Sequence, residues 1–390
     1  MTNRVFITGM GMISPLGDNV DLNWKNLLER KNHFVPYEIF MGKGRRKEEF
    51  YVGKVSCNSE KKKYSKLAED VLIQAIHESG ISPEKNLGRT ALIIGSSLGN
   101  SEYMFKSITD ETGELDLDEI LPEVLAHKLA EKYFVNTTVI VINSACSSSS
   151  NAIGKAYRLI KNNSIDCAYV IGIDAVLSDM GLASFAALGV LSASESMRPF
   201  DVHHNGFILS EGSGALILQR EDFIEEDHLS ACTEIVGYGA SCDAYHIVAP
   251  DLKGKGAALA MKMALKDADI PSTTIDYINC HGTGTKLNDE SEYNAMELIF
   301  DHRVHASSTK GMTGHLLGAC GIAETIFSCL SIKHDLIPGT VNLIDPIKKS
   351  NINLLSEDVQ TKVNIVMNNT FAFGGQNASL ILKKWKGESI

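Results

Sequence analysis

The apolar positions of the chain fall into two alternating kinds of run. Residues 138–142, Thr-Val-Ile-Val-Ile, form an unbroken β-branched stretch and predict a buried strand. From Ser147 the side chains become small, and Ala152, Ile153, Ala156, Leu159 and Ile160 recur at helical spacing over 147–162. Upstream, the pattern predicts a strand at 5–7 and a helix at 19–31. An amphipathic helix follows at 65–79, with Leu67, Val71, Leu72, Ala75 and Ile76 on one face. A strand at 91–94 then runs into Gly95-Ser-Ser-Leu-Gly99. Residues 41–63 read as a charged, solvated loop, and 100–136 as polar and then helical without a chemical signature. Strands at 167–171 and 215–218 complete this part.

The acidic stretch 220–228 is a linker candidate, and beyond it the pattern repeats. Ile235-Val-Gly-Tyr-Gly239 echoes the opening Gly9-Met-Gly11. A helix at 254–268, a strand at 275–279, a small-residue helix at 314–332 and strands at 363–367 and 379–382 follow in the earlier order. Such self-similarity predicts an internal duplication. It divides the chain into halves 1–225 and 226–390 within one compact unit. Two small-residue helices, one from each half, should pack closely back to back. Alternating strands and helices predict an α/β fold with largely parallel sheets covered on both faces. The Gly9-x-Gly11 opening has the start of a dinucleotide fingerprint, but Ser14 stands in place of the third glycine and Pro15 breaks the expected helix.

Composition narrows the function. Of 390 residues, 44% are hydrophobic and 22% charged, ordinary for a globular protein. A net charge of −11 gives a field that does not favour nucleic acid or anionic membrane. No apolar run reaches the roughly 18 residues of a membrane span. The first residues enter a strand directly, without signal-peptide form. The eight cysteines are scattered, with no Cys-x-x-Cys and no Cys/His cluster. That predicts no metal site, no disulfide framework and a cytoplasmic protein.

Four stretches carry chemistry. Cys146 lies where a strand gives way to a helix, whose free N–H groups and positive dipole end favour a thiolate. A buried cysteine packed as a small hydrophobe is the alternative. Asn279-Cys-His281-Gly-Thr-Gly-Thr285 places a histidine in a glycine turn. Ser307-Ser-Thr-Lys310-Gly-Met-Thr-Gly-His315 sets a lysine and a second histidine among small and apolar residues. A lysine there should be buried and needs a partner, which Glu324 could supply. Phe371-Ala-Phe373-Gly-Gly375 is a backbone bend whose N–H groups could face a ligand. Together these groups suit acyl transfer: thiolate attack on a thioester, with an oxyanion held by the helix-start N–H and one from the Phe373 turn. Two neutral imidazoles could in addition stabilise the enolate left when a β-carboxyl thioester loses CO2.

These motifs resemble the β-ketoacyl-acyl carrier protein synthases, in particular the elongating Cys-His-His enzymes of fatty acid and type II polyketide pathways. The resemblance also takes in Arg198-Pro-Phe-Asp201, Asn205-Gly-Phe-Ile-Leu-Ser-Glu-Gly212 and Asp243-Ala-Tyr-His246, and spans nearly the whole chain. It implies a thiolase-like fold of duplicated α/β halves in a five-layer αβαβα arrangement, acting as a homodimer or as a heterodimer with a related subunit. It implies Cys146 as the acyl-carrying nucleophile, His281 and His315 as the decarboxylation pair, and Lys310 with Glu324 as the polarising pair. Thr283 and Thr285 would bind the phosphopantetheine arm of an acyl carrier protein, with no cofactor resident on the enzyme. Phe373, beside Phe371, would gate Cys146 together with the loop 243–250. Lys61, Lys62, Lys63 and Lys66 would belong to the surface that meets the acidic carrier.

Several positions depart from the family pattern: Lys286 for a usual proline, Ala372 for a glycine, Gln376 for a threonine, Ser210 for a glycine, and a shorter, unlike 100–136. Two other functions match part of the pattern. A non-catalytic chain-length-factor subunit would usually lack the cysteine. A papain-like hydrolase would match the 135-residue spacing from Cys146 to His281, but not the local signature around the cysteine.

Overall fold

The structure is a computed structural model that describes residues 3–41, 46–57, 62–81, 89–109, 115–134, 137–224 and 233–385. Strands β1 (Val5–Ile13), β2 (Thr90–Gly95), β3 (Thr138–Ile142), β4 (Cys167–Asp174) and β5 (Gly212–Arg220) come from the first half. Strands β6 (Thr233–Cys242), β7 (Tyr277–Asn279), β8 (Val304–Ser307), β9 (Ile352–Leu354), β10 (Ile365–Ala372) and β11 (Gln376–Lys384) come from the second. They join in the order β9-β8-β7-β10-β11-β6-β1-β5-β4-β2-β3. The seam is the antiparallel pair β1/β6, with Val5 opposite Ile235 and Ile7 opposite Thr233.

Outward from that seam the two halves repeat the same pairings. β1 is antiparallel to β5, β5 antiparallel to β4, and β4, β2 and β3 are parallel. β6 is antiparallel to β11, β11 antiparallel to β10, and β10, β7 and β8 are parallel. The expected duplication is therefore present over five strands of each half, with β9 added beyond β8 in the second. The expected largely parallel sheet is corrected to a mixed one, because in each half the last strand returns antiparallel beside the first.

Helices α1 (Lys63–Ser79), α2 (Pro122–Tyr133), α3 (Ser148–Lys161), α4 (Lys255–Ala268), α5 (Lys286–Glu297) and α6 (Cys320–His334) cover these strands. α1 packs on β1, β5 and β4, and α4 packs on β6 and β11. α3 and α6 lie between the half-sheets and touch each other, giving α–β–α–β–α layers. Their contact is as close as the small residues predict: a Cβ on Gly321 would lie 2.0 Å from Ser150 Oγ, and Ile322 N–H donates to Ser149 Oγ at 3.0 Å. α6 is buried from Cys320 to Ile332, and two of its hydroxyls return to its own backbone: Thr325 and Ser328 each donate at 2.7 Å to the carbonyl four residues back.

The glycine openings also acquire a cause. A Cβ on Gly9 or Gly11 would lie 2.1 Å from the carbonyl oxygen of Ala75 or Val71 in α1. On Gly237 or Gly239 it would lie 2.4 or 2.1 Å from that of Ala264 or Ala260 in α4. Both pairs let a helix backbone lie directly on a strand, so the space a dinucleotide would need at Gly9 and Gly11 is filled by α1.

Other elements differ from the expected pattern. Residues 34–41 and 46–53 form an antiparallel hairpin rather than a solvated loop. Within 100–136, expected to be polar and then helical, helices Ser101–Thr109, Leu117–Ile120 and α2 form. Buried Glu119 from that stretch accepts from Tyr64 N at 2.9 Å and Ser65 N at 3.0 Å, capping α1. The predicted helix at 314–332 begins only at Cys320, since Gly314 (φ 68°) and Leu317 (φ 49°) are left-handed.

Candidate active site

Cys146 follows β3 through a sharp turn. Ala145 has φ 51°, a left-handed conformation that costs a non-glycine residue on the order of 1–3 kcal/mol. Serines hold the turn: Ser144 N–H donates to Ser148 Oγ at 2.9 Å, and Ser148 and Ser147 hydroxyls donate to the carbonyls of Ala145 at 2.6 Å and Ser144 at 2.8 Å. The Ser-rich run after the cysteine is thus a set of local backbone locks. The expected lowering of the Cys146 pKa is corrected. Burial pushes its thiol up to about 12, with Lys310 and the Phe373 N–H pulling the other way. The resting group is a thiol, buried at the head of α3.

His281 leaves the end of β7. Its N–H and that of Gly282 donate to the two oxygens of Glu292, at 2.8 and 2.7 Å. Gly284 N–H donates to Asp289 at 3.1 Å, and Phe200 N–H to the same carboxylate at 2.8 Å. Asp289 and Glu292 are fully buried on one face of α5, three residues apart, and hold the glycine turn from beneath. Sequence reasoning missed both. The available signal was Asp-x-x-Glu beginning four residues after Thr285 of the glycine-threonine turn.

His315 lies in the irregular stretch before α6. Its N–H donates to Ile208 O at 2.8 Å and its carbonyl accepts from Ser210 N at 3.0 Å. Its Nδ1 accepts from Leu317 N–H at 3.0 Å. The two imidazole rings stand 5.4 Å apart at 87°. Lys310, 0% exposed, reaches both Glu324, as expected, and His281 Nδ1, at 3.2 Å. Burial and the lysine charge hold both histidines well below the usual imidazole range. Burial alone would push Glu324 up, while the contact raises Lys310. The ammonium form prevails because Nζ has two acceptors, the carboxylate and a ring nitrogen.

One ring nitrogen of each histidine and Cys146 Sγ all lie within 4.8 Å of one another. Since each Nδ1 already accepts a hydrogen bond, each neutral ring carries its proton on Nε2. The nitrogens left to face the cysteine are N–H donors. That set suits a developing oxyanion, whereas a metal ion needs bare lone pairs. A cavity of about 230 Å³ opens from Cys146 past His281 and His315 to Thr283, Thr285 and Lys286. The Thr283 and Thr285 hydroxyls are bonded to each other at 2.8 Å. Phe371 and Phe373 line it opposite, and Phe185, Val190, Phe207 and Leu317 give it an apolar side. The Phe373 bend is tied to the loop 243–250, with Asp243 N–H to Gly375 O and Gly374 N–H to Ile247 O, both 2.9 Å.

A further carboxylate organises the floor. Asp174, at the end of β4, is fully buried and accepts from the N–H groups of Ser97, Leu98, Gly99 and Gly318. It anchors the turn after His315 to the first half. The lysine run fares differently. Lys63 is 5% exposed and its ammonium sits on the buried carboxylate of Glu211, so it is withdrawn from any docking surface. Lys66 pairs with Asp70, Lys62 lies 3.9 Å from Asp116, and Lys61 falls outside the described residues.

A cysteine facing two neutral imidazoles at the junction of duplicated α/β halves suits acyl-transfer chemistry. Comparison with known proteins agrees. Residues 2–223 match the β-ketoacyl synthase N-terminal domain, and 232–344 match the C-terminal domain. The chain is 32% identical over 416 aligned residues to a 3-oxoacyl-[acyl-carrier-protein] synthase 2 of Vibrio harveyi, covering 98% of each. It is 33% identical over 435 to that of Rhizobium meliloti, covering 98% of this chain and 99% of the relative. Among solved structures it matches a type II polyketide synthase acyl-carrier protein in complex with its ketosynthase bound to the hexaketide, at TM-score 0.90 and 25% identity, covering 99% and 100%. It also matches the ketosynthase ApeO in complex with its chain length factor ApeC from Xenorhabdus doucetiae, at TM-score 0.85 and 30% identity, covering 98% of each. The chain belongs to the β-ketoacyl synthase family. It is an acyltransferase that joins an enzyme-held acyl group to malonyl-acyl carrier protein with loss of CO2, giving β-ketoacyl-acyl carrier protein in fatty acid or type II polyketide-like synthesis.

Proposed function

We propose that Cys146 carries the acyl chain and that His281 and His315 drive the decarboxylation. In the first step Cys146 sulfur attacks the acyl thioester carbonyl. The oxyanion sits between the N–H groups of Cys146 and Phe373. The carbon–sulfur bond to the carrier arm breaks, and the arm's sulfur leaves with the cysteine proton as a thiol. In the second step the malonyl thioester oxygen accepts from the two Nε2–H donors. The bond to the carboxylate breaks, CO2 leaves, and its electron pair becomes an enolate that attacks the acyl carbonyl. Cys146 leaves as a thiolate and takes a proton from water, which a thiol pushed up to about 12 does readily.

Lys310 serves as the cation that holds His281 Nδ1 as an acceptor, and Glu324 keeps that lysine in place. Thr283 and Thr285 line the route by which a phosphopantetheine arm would enter, so substrates arrive on an acyl carrier protein and no cofactor stays on the enzyme. All seven cysteines among the described residues are free thiols, which supports a cytoplasmic setting. Among those residues no helix is long and apolar enough to cross a membrane. The subunit pairs with a second copy through the outer edge of β3. The observation that carries this reading is the cluster of Cys146 with two ring nitrogens whose Nδ1 atoms are already bonded. It is tested by mass spectrometry after incubation with acyl carriers of graded length. The expected adduct is on Cys146, absent in Cys146→Ala; condensation surviving in that variant would overturn the assignment.

A further inference from the structure

Cys320 is a second thiol at the site, and the reaction just described does not use it. It is the first residue of α6 and 1% exposed. Its Sγ lies 3.3 Å from His315 Nδ1. That nitrogen already accepts the Leu317 N–H at 3.0 Å. A backbone N–H can only donate, so Nδ1 is an acceptor, and a thiol beside it can only donate as well. Burial pushes the Cys320 thiol well above its ordinary range, so it keeps its proton. The two donors come from different elements. Leu317 sits in a loop at φ 49°, a conformation leucine disfavours, whereas Cys320 is fixed by the start of a fully buried helix.

We propose that Cys320 is a positioning residue: its S–H, with the Leu317 N–H, fixes the ring plane and the Nε2–H tautomer of His315 toward Cys146. Turning the ring over would set a carbon against both donors, and protonating Nδ1 would lose both bonds. The groups around the ring act in the same direction or are neutral. Lys310 disfavours a second positive charge, His281 is neutral, Cys146 is a thiol, and the charge of Glu324 is held by Lys310. Asp174 spends its oxygens on backbone N–H groups, including that of Gly318. Cys320 is buried and is not among the residues lining the cavity, so its effect passes through His315.

This inference rests on the assignment of His315 to the decarboxylation step, and its test separates the two. Full-length protein with 15N-labelled histidine is compared as wild type, Cys320→Ala and Cys320→Ser, with His315 signals identified by their loss in His315→Asn. Wild type and Cys320→Ser are expected to show His315 only as the neutral Nε2–H form. Cys320→Ala leaves the Leu317 N–H, from its strained loop, as the sole donor, and is expected to show a measurable fraction of the Nδ1–H form and to protonate at higher pH. In condensation assays Cys320→Ala should lower kcat about fivefold, the worth of one hydrogen bond, at unchanged KM. Its acid limb should move to higher pH, and serine should restore both. Wild-type tautomer and acid limb in Cys320→Ala, or failure of serine to restore them, would overturn the proposal. The NMR differences appearing in a chain without condensation activity would uphold the positioning role and overturn the functional reading instead.

Discussion

Removing Glu324 alone would strand the Lys310 ammonium in a fully buried place, beside a histidine that is itself a weak acceptor. Breaking one side of such a pair costs about 3–5 kcal/mol. Glu324→Leu is therefore expected to unfold at clearly lower urea than wild type. Lys310→Met/Glu324→Leu should recover most of that stability, because no lone charge remains. It should not recover condensation, because His281 Nδ1 has lost the cation that fixes its tautomer. Urea titration and a condensation assay on the same preparations check both halves of this expectation. Cys146, His281, His315, Lys310 and Glu324 were legible in the sequence because each polar group stands among small or apolar neighbours, where burial forces a partner. Asp289, Glu292 and Asp174 were not, since acids near a turn look like solvated surface until backbone N–H groups are seen converging on them. Lys63 misled for the converse reason: inside a run of lysines nothing marks the one that turns inward to Glu211.

At the scale of elements, the glycine pairs on β1 and β6 make a symmetric prediction. Gly11→Ala and Gly239→Ala each force a methyl to 2.1 Å from a helix carbonyl oxygen. Each should cost about 1–3 kcal/mol as strand and helix move apart. Thermal melts would show losses of similar size, despite a separation of more than half the chain. A second expectation concerns α5. Burial raises Asp289 and Glu292 to about 7, so the folded state holds their protons more tightly than the unfolded chain. Their contribution to stability is full below about pH 4 and is lost as pH rises through about 7. For Glu292 the loss is on the order of 3 kcal/mol. The melting temperature should fall between pH 5 and pH 8, and Glu292→Gln should flatten that fall. Strand and helix positions were readable wherever a periodic pattern ran through them, as in α1, α3 and α4. The start of α6 was not, because Gly314 and Leu317 break the helix without any change in apolar content. The hairpin of 34–41 and 46–53 was not readable either, because the charged residues of its second strand look like solvated surface.

At the scale of the whole molecule, the sheet ends in β9 on one side and in β3 on the other. Among the described residues β3 pairs on one side only, with β2. Val139, Ile140, Val141 and Ile142 are partly exposed there, with Thr138 exposed. An edge of β-branched residues at the rim of a large sheet is an adhesive surface unless something covers it. This edge also feeds directly into the Cys146 turn, with Asn143 and Ser144 between. Whatever covers β3 therefore bears on the nucleophile's backbone, and assembly should couple to acylation. The purified chain is expected to sediment at twice 42.5 kDa and to load Cys146 unaided. Thr138→Lys, placed on the exposed position, should weaken a pairing of two copies by setting like charges close together across the edge. Sedimentation and Cys146 acylation, followed across a concentration series, should then fall together, while wild type holds both. A wild-type chain that sediments singly and loads only beside a related second subunit would give the edge to that subunit. The duplicated halves would then be complete in themselves, and the enzyme would be complete only as a pair of unlike chains.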